Sequence, residues 1–199
     1  MDHFVSSFVF GLSIAMPFGP VGMMCLEQSL VRGVGPGLAS GAGAATTHGL
    51  YATLAVFGAH VSAAPVAGFQ TQSHYFSGIV FVLLGIWTLF RHPSARDNKT
   101  STTGELGPFL AGAGLALANP MTLLPYLAFA GSLALTDQIG GLFHVLIVCG
   151  VGLGTLSWYW TMSGSAWLLR QRLPRQLLTH LHLVAGPALI AMGIVTALR

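Results

Sequence analysis

The chain has 199 residues, of which 53% are hydrophobic and only 7% charged. Soluble domains carry about 25% charged residues, so the composition excludes a soluble globular protein and indicates a polytopic membrane protein. The net charge of +3 comes without a basic stripe interleaved with aromatics, so no nucleic acid is expected as a partner. Two cysteines do not make a disulfide framework, and Cys25 and Cys149 read as small packing residues in or beside apolar segments.

The start, Met1-Asp2-His3, is acidic and lacks the basic n-region of a cleaved leader, so the first apolar segment reads as a retained helix. About 20 apolar residues cross a bilayer core. Six stretches qualify, at residues 4–25, 37–58, 73–90, 109–135, 142–167 and 177–198. Gln70, Gln72, Ser73 and His74 crowd the start of the third, which is expected to be short or to begin as an interfacial turn. Residues 91–107 form the only clear polar linker. The expected organisation is a first three-helix unit at 1–90, a cytoplasmic linker at 91–107 and a second three-helix unit at 108–199.

Basic residues sort by loop. Arg32 lies between spans one and two; Arg91, Arg96 and Lys99 lie between three and four; Arg170, Arg172 and Arg175 lie between five and six. Only Arg199 falls on the other side, with Asp2 and Asp137. Positive loops stay cytoplasmic, which places both termini outside a bacterial inner membrane.

The first span is interrupted by Met16-Pro17-Phe18-Gly19-Pro20, and the fourth by Asn119-Pro120 with Pro125 beyond it. A proline inside a helix removes one backbone hydrogen bond. The carbonyls of Ser13, Met16, Ala116 and Met121 therefore lose the N–H groups of Pro17, Pro20, Pro120 and Pro125. Single prolines are common packing kinks in membrane helices. A pair at corresponding places in two halves points instead to a transport site at mid-membrane.

The halves match further. Phe8-Val9-Phe10-Gly11 resembles Phe109-Leu110-Ala111-Gly112, and Gly37-x3-Gly41 answers Gly150-x3-Gly154. Gly78-x6-Gly85-Ile86-x-Thr88 answers Gly186-x6-Gly193-Ile194-x-Thr196. Small residues at such spacings let helix backbones approach closely in lipid. Three spans per half is an odd number, so the halves must be inverted. The fold class is an all-α integral membrane protein of six transmembrane helices, arranged as two inverted three-helix repeats with helices one and four broken. The packing motifs permit a homodimer.

A broken helix presents a negative carbonyl end and a positive amide end close together, which suits the ammonium and carboxylate of an amino acid. The expected substrate contacts are Pro17, Gly19, Pro20, Asn119 and Pro120, with the Thr122 hydroxyl and, in span five, Ser157 and Trp158. His48 stands near the middle of span two, which holds no Asp, Glu, Lys or Arg. It is the candidate for proton coupling, or else a neutral histidine bonded to Thr46 or Tyr51. Glu27 reads as a solvated group at the cytoplasmic end of span one. His180-x-His182 is not a metal pair, because residues two apart do not share a helix face.

In combination these residues resemble the LysE/RhtB amino-acid exporter family. The resemblance is carried by Pro17-Phe18-Gly19-Pro20-Val21-Gly22, Ser29-Leu30-x2-Gly33-x3-Gly37-Leu38, Gly41-x-Gly43-Ala44-Ala45, Tyr51 and Gly58. In the second half it is carried by Gly112, Leu117-Ala118-Asn119-Pro120-Met121-Thr122, Gly150-x3-Gly154-x3-Trp158-x-Trp160, Arg170, Arg172-Leu173, Gly186 and Gly193. The resemblance implies efflux of amino acids or related metabolites across the inner membrane, driven by the proton motive force. It makes Pro17, Gly19, Pro20, Asn119 and Pro120 the signature site, and it implies a transporter rather than an enzyme, with no cofactor. The chain departs by reading Pro-Phe-Gly-Pro where many relatives read Pro-Gly-Pro, by His48 where many have Asp, and by Glu27 where some have a basic residue. Loss of the Asp weighs against basic amino acids as substrates.

Two rivals differ in class. A divalent-cation exporter of the same superfamily would need carboxylate or thiolate ligands at mid-membrane, and the spans hold no such carboxylates. A transmembrane thiol–disulfide carrier would need cysteines in equivalent helices of the repeat, whereas Cys25 lies in span one and Cys149 in span five.

Overall fold

The protein was analysed as a computed structural model, which describes residues 2–16, 19–58, 104–119 and 141–170, together with 79, 82–83, 86, 89–90, 122–123, 125–126, 129–130, 172, 183, 187, 190–191 and 194–195. Among these residues there are only helices, turns and short connections. The helices are α1 (Asp2–Ala15), α2 (Pro20–Val31), α3 (Val34–Gly58), α4 (Leu106–Ala118) and α5 (Gly141–Arg170). The described positions within 79–90, 122–130 and 183–195 are also helical. Pro17, Pro120, residues 91–103 of the expected linker, Arg175 and the His180-x-His182 pair lie outside the described residues.

The ends of the elements follow from local chemistry. Met16 precedes Pro17 and Asn119 precedes Pro120, and a residue before proline is pushed out of helical geometry. Accordingly the last helical bond of the first segment is Met16 N–H to the Leu12 carbonyl, and Asn119 ends α4 in an extended conformation, φ −94° and ψ 101°. Pro20 opens α2 at a position where its missing N–H costs nothing. Gly33 closes α2 at φ 115°, where a side chain would be strained. The N–H groups of Arg32 and Gly33 both reach the Gln28 carbonyl.

The helical segment that carries the first break runs as α1 and α2, bent by 77° at the break, and continues past Cys25 to Val31. The helix that carries the second break, α4, begins at Leu106. At 1.5 Å per residue, α1 and α4 are each about 20 Å long, enough to reach mid-membrane, while α3 and α5 are about 37 and 45 Å, enough to cross. Among the described residues, α5 alone is long and apolar enough to span by itself, and α1 with α2 qualifies as a bent pair. The 25-residue α3 is too rich in Gly, Ala and Thr to qualify. Most of its residues are buried by α2, α4 and α5 rather than facing outward.

Two ends are distinct. At one, the Arg170 guanidinium lies against Gly33 and the Glu105 carboxylate over Gly35, so the loops before α3, before α4 and after α5 meet. At the other, His3 packs edge-on to Phe143 at 4.8 Å, and His144 lies 5.4 Å from Phe57. The half-length helices α1 and α4 thus start at opposite ends and run inward.

Two glycine crossings fix this arrangement. A β-carbon on Gly11 would strike the Val151 carbonyl, and one on Gly154 the Phe8 carbonyl, where α1 meets α5. A β-carbon on Gly112 would strike the Ser40 carbonyl, and one on Gly43 the Phe109 carbonyl, where α4 meets α3. Phe8 with Gly11 corresponds to Phe109 with Gly112, as the sequence match has it. Gly154, however, corresponds to Gly43 and not to Gly41. The Gly37-x3-Gly41 motif was matched two residues out of register: Gly37 instead receives Ser29, and Gly41 receives Tyr159.

Replacing Gly112 by Ala is expected to lower the Tm in detergent by about 5 °C, from an overpacking cost of about 2 kcal/mol. Gly49→Ala, where nothing lies within 4 Å of the added carbon, is expected not to lower it. Thermal unfolding of the two purified variants checks both.

Candidate functional site

The two breaks converge. Ala15 at the end of α1, Val21 at the start of α2 and Ala116 near the end of α4 belong to one buried cluster, with Cys25, Ala44 and Tyr159. Leu115, Trp158 and Met162 pack against it. The C-terminal ends of α1 and α4 therefore bring partial negative charge to the same region from opposite ends, and the amide end of α2 lies beside them. The charged residues described in the helices and their flanks are Asp2, Glu27, Arg32, Glu105, Arg170 and Arg172; none belongs to this cluster.

α3 supplies hydroxyls to α4 at the second break. Tyr51 donates to the Leu117 carbonyl at 3.2 Å, and Thr47 to the Ala113 carbonyl at 3.1 Å. Leu117 lies in the last turn of α4, where carbonyls lack helical partners, so Tyr51 acts as a tertiary cap. Asn119 follows immediately and is only 9% exposed. The Thr122 N–H returns to the Asn119 carbonyl at 3.0 Å, which turns the chain back into helix.

His48 is buried on the face of α3 that meets the segment beyond the second break. Its Nδ1 is hydrogen-bonded to the Tyr126 hydroxyl at 2.9 Å. Neither local partner named from sequence is used: Thr46 donates to the Ala42 carbonyl, and Tyr51 serves Leu117. The Tyr159 ring centroid stands 6.2 Å from that of His48. Tyr126 in turn packs against Phe10 and Tyr51.

Of the expected contacts, the structure brings Gly19, Pro20 and Asn119 to the two breaks, with Thr122 one turn on. Trp158 is half-buried against the cluster. Ser157 spends its hydroxyl on the Gly154 carbonyl of its own helix at 2.8 Å. Tyr126, bonded to His48, is a candidate site residue that the sequence reading misses. Tyr126 had one signal, its place directly after Pro125. Cys25 is buried on α2 and Cys149 exposed on α5, both as free thiols. Among the described residues no three His, Cys, Asp or Glu side chains gather to hold a metal ion.

The family model described as LysE type translocator matches residues 12–199. A curated protein of Bacillus subtilis (strain 168), titled "Putative amino acid efflux protein YcgF", is 31% identical over 198 residues, covering 97% of this chain and 94% of that protein. No solved structure matches.

Because His48 and Tyr126 satisfy each other in a buried setting, removing one partner strands the other. Tyr126→Phe and His48→Leu are each expected to destabilise by about 1–3 kcal/mol. The double variant is expected to fall short of additivity by about 1 kcal/mol. Unfolding midpoints of the four proteins in one detergent complete the cycle.

Proposed function

Because the chain belongs to the LysE type translocator family, we propose that it exports an amino acid or related small metabolite across the bacterial inner membrane, driven by the proton motive force. Family membership makes it a membrane transport protein and not an enzyme. The observation that carries the finer reading is the meeting of two interrupted helix ends in one buried cluster, where among the described residues no Asp, Glu, Lys or Arg is buried. A zwitterion has no net charge, and such a site answers both of its ends with backbone dipoles.

In this reading the carbonyl ends of α1 and α4 hold the ammonium group, and the N–H groups at the start of α2, after Gly19 and Pro20, hold the carboxylate. Asn119 contributes an amide that donates and accepts. Pro17 and Pro120 keep backbone carbonyls free, and Thr122, Ser157 and Trp158 border the path. His48 carries the coupled proton. No carboxylate stands at its place, which disfavours a cationic side chain on the substrate.

The proposed architecture is six spans in two inverted three-helix repeats, at 1–90 and 108–199, joined by a cytoplasmic linker at 91–107. The matched crossings of α1 on α5 and α4 on α3 support it, as do the opposite directions of α1 and α4. The meeting of the Arg32, Glu105 and Arg170 loops at one end supports a cytoplasmic placement of that end and outward termini. The open helix surface at Gly49, Gly114 and Gly152 provides room for a homodimer.

In inverted membrane vesicles, export reads as gradient-dependent uptake of labelled solute. Across a panel of amino acids, at least one is expected to accumulate, and Asn119→Ala is expected to cut its initial rate about tenfold or more, the equivalent of one lost charge-assisted hydrogen bond. If no amino acid or derivative moves in an Asn119-dependent way, the exporter reading falls. His48→Gln is expected to abolish the part of uptake driven by a pH gradient; full retention of that drive removes His48 from the coupling.

A further inference from the structure

Hydroxyl side chains on membrane helices commonly return their proton to a carbonyl three or four residues back. Ser13, Thr46, Thr53, Thr155, Ser157 and Thr161 do so here. Ser29, Ser40 and Ser163 do not. Each is fully buried, and among the described residues no nitrogen or oxygen pairs with its Oγ; Ser163 has only the weak partner offered by the Cys25 thiol. Buried polar groups are ordinarily paired, so these three require a reason.

Two of them share a seam. The Ser29 hydroxyl of α2 sits directly on Gly37 of α3, where a β-carbon would collide with it. Ser163 of α5 is the polar neighbour of the Cys25 thiol, one turn before Ser29 on α2. Further along the same two helices, Gly22 faces Met162 and Gly33 faces Arg170. The seam between α2, α3 and α5 thus runs from Cys25, a member of the cluster at the breaks, to the basic end of the molecule.

Between Cys25 and Gly37 its lining is small and polar. The other side of the breaks is built differently. There Phe10 packs edge-on to Tyr126 at 5.7 Å and stacks on Phe129 at 4.4 Å, and Tyr51 and Ala52 close around them. Large rings fill that side. The basic side is closed by helices meeting across Cys25, Ser29, Gly37 and Ser163. Its inner helix, α2, has 12 residues and is bounded by glycines, Gly19 in an extended conformation and Gly33 at φ 115°.

We propose that this seam is the basic-end half of the translocation path, closed in this structure, and that Ser29 and Ser163 bind water and the passing solute when α2 separates from α3 and α5. The inference rests on the exporter reading above and gives that site its inner route. It accounts for two of the three buried hydroxyls, those of Ser29 and Ser163 and not that of Ser40 at the α3–α4 crossing: groups that must be wet in the open state are dry in the closed one. Alanine would seal the closed seam equally well without leaving a polar atom unpaired, so serine answers a need of the other state.

Cys25 is a built-in reporter, since a buried thiol is inert and a wetted one reacts. Cys149→Ser leaves it as the single thiol. A membrane-impermeant thiosulfonate applied separately to each face of sealed vesicles measures its access. Arg172→Cys in a Cys25→Ser, Cys149→Ser background marks which face carries the basic end. Cys25 is expected to label from that same face. Ser29→Ala is expected to raise the Tm of the closed form while slowing both Cys25 labelling and export several-fold, a split that a purely structural serine would not give. Labelling from the opposite face, from neither face, or at an unchanged rate in Ser29→Ala overturns the proposal. Labelling from the expected face with no amino acid transported upholds the seam as a path and removes the substrate class instead.

Discussion

A helix interrupted in hydrocarbon leaves backbone carbonyls and amides that lipid cannot satisfy. The rest of the structure follows from where this protein puts those groups. α1 stops at Ala15 and α4 at Ala118, each about 20 Å long, roughly half of what a bilayer crossing needs with its interfaces. Their ends are enclosed by α3 and α5, the two long helices, so that protein rather than lipid surrounds the breaks. Tyr51 reaches from α3 to the Leu117 carbonyl, and the Asn119 carbonyl takes the Thr122 N–H. The composition of α3 is the corollary. A helix enclosed by other helices needs small residues more than hydrophobic ones, and α3 is accordingly the less apolar of the two full-length helices.

Close enclosure requires backbones to touch. Without a hydrophobic drive between helices in lipid, packing contacts hold them together, and glycine brings the backbones within reach. The same device is used twice. Gly11 and Gly154 stand to Val151 and Phe8 as Gly112 and Gly43 stand to Ser40 and Phe109. In both crossings a half-length helix is laid on a long helix that belongs, by sequence, to the other half of the chain. Any motion of one half therefore moves against a surface contributed by the other.

The sequence was most legible where chemistry is local. Proline dictates its own break and constrains the residue before it, so the ends of α1 and α4 were readable at Met16 and Asn119. The basic residues Arg32 and Arg170 at helix ends were equally direct. Register was less legible: glycines are so frequent in α3 that Gly37, Gly41 and Gly43 offered competing matches to α5, and only contact geometry separates them. Long-range pairing was hidden. Tyr126 lies 78 residues from His48, and no periodicity within either segment points to the other. The orphaned serines were hidden for the same reason, because a serine on a helix reveals nothing about whether it bonds back to its own turn.

The His48–Tyr126 bond ties these features together. Tyr126 lies just beyond the second break, and His48 lies on α3, which also caps the first side of that break through Tyr51. α3 therefore grips the interrupted segment both before and after Asn119. Phe10 of α1 packs on Tyr126, so the same tyrosine also touches the helix that carries the first break. A solute entering the cluster at the breaks meets one pair of interrupted ends and two kinds of wall: large rings toward the His3 end and small polar groups toward the Arg170 end. Opening the first requires displacing several stacked rings and breaking a buried hydrogen bond. Opening the second requires that α2, held at both ends by glycine, move away from surfaces that meet it through Ser163, Gly37, Met162 and Arg170, with no stacked rings between them. In the exporter reading, the inner wall is thus the easier to open, which admits solute from the cytoplasm while the aromatic wall holds the outside closed.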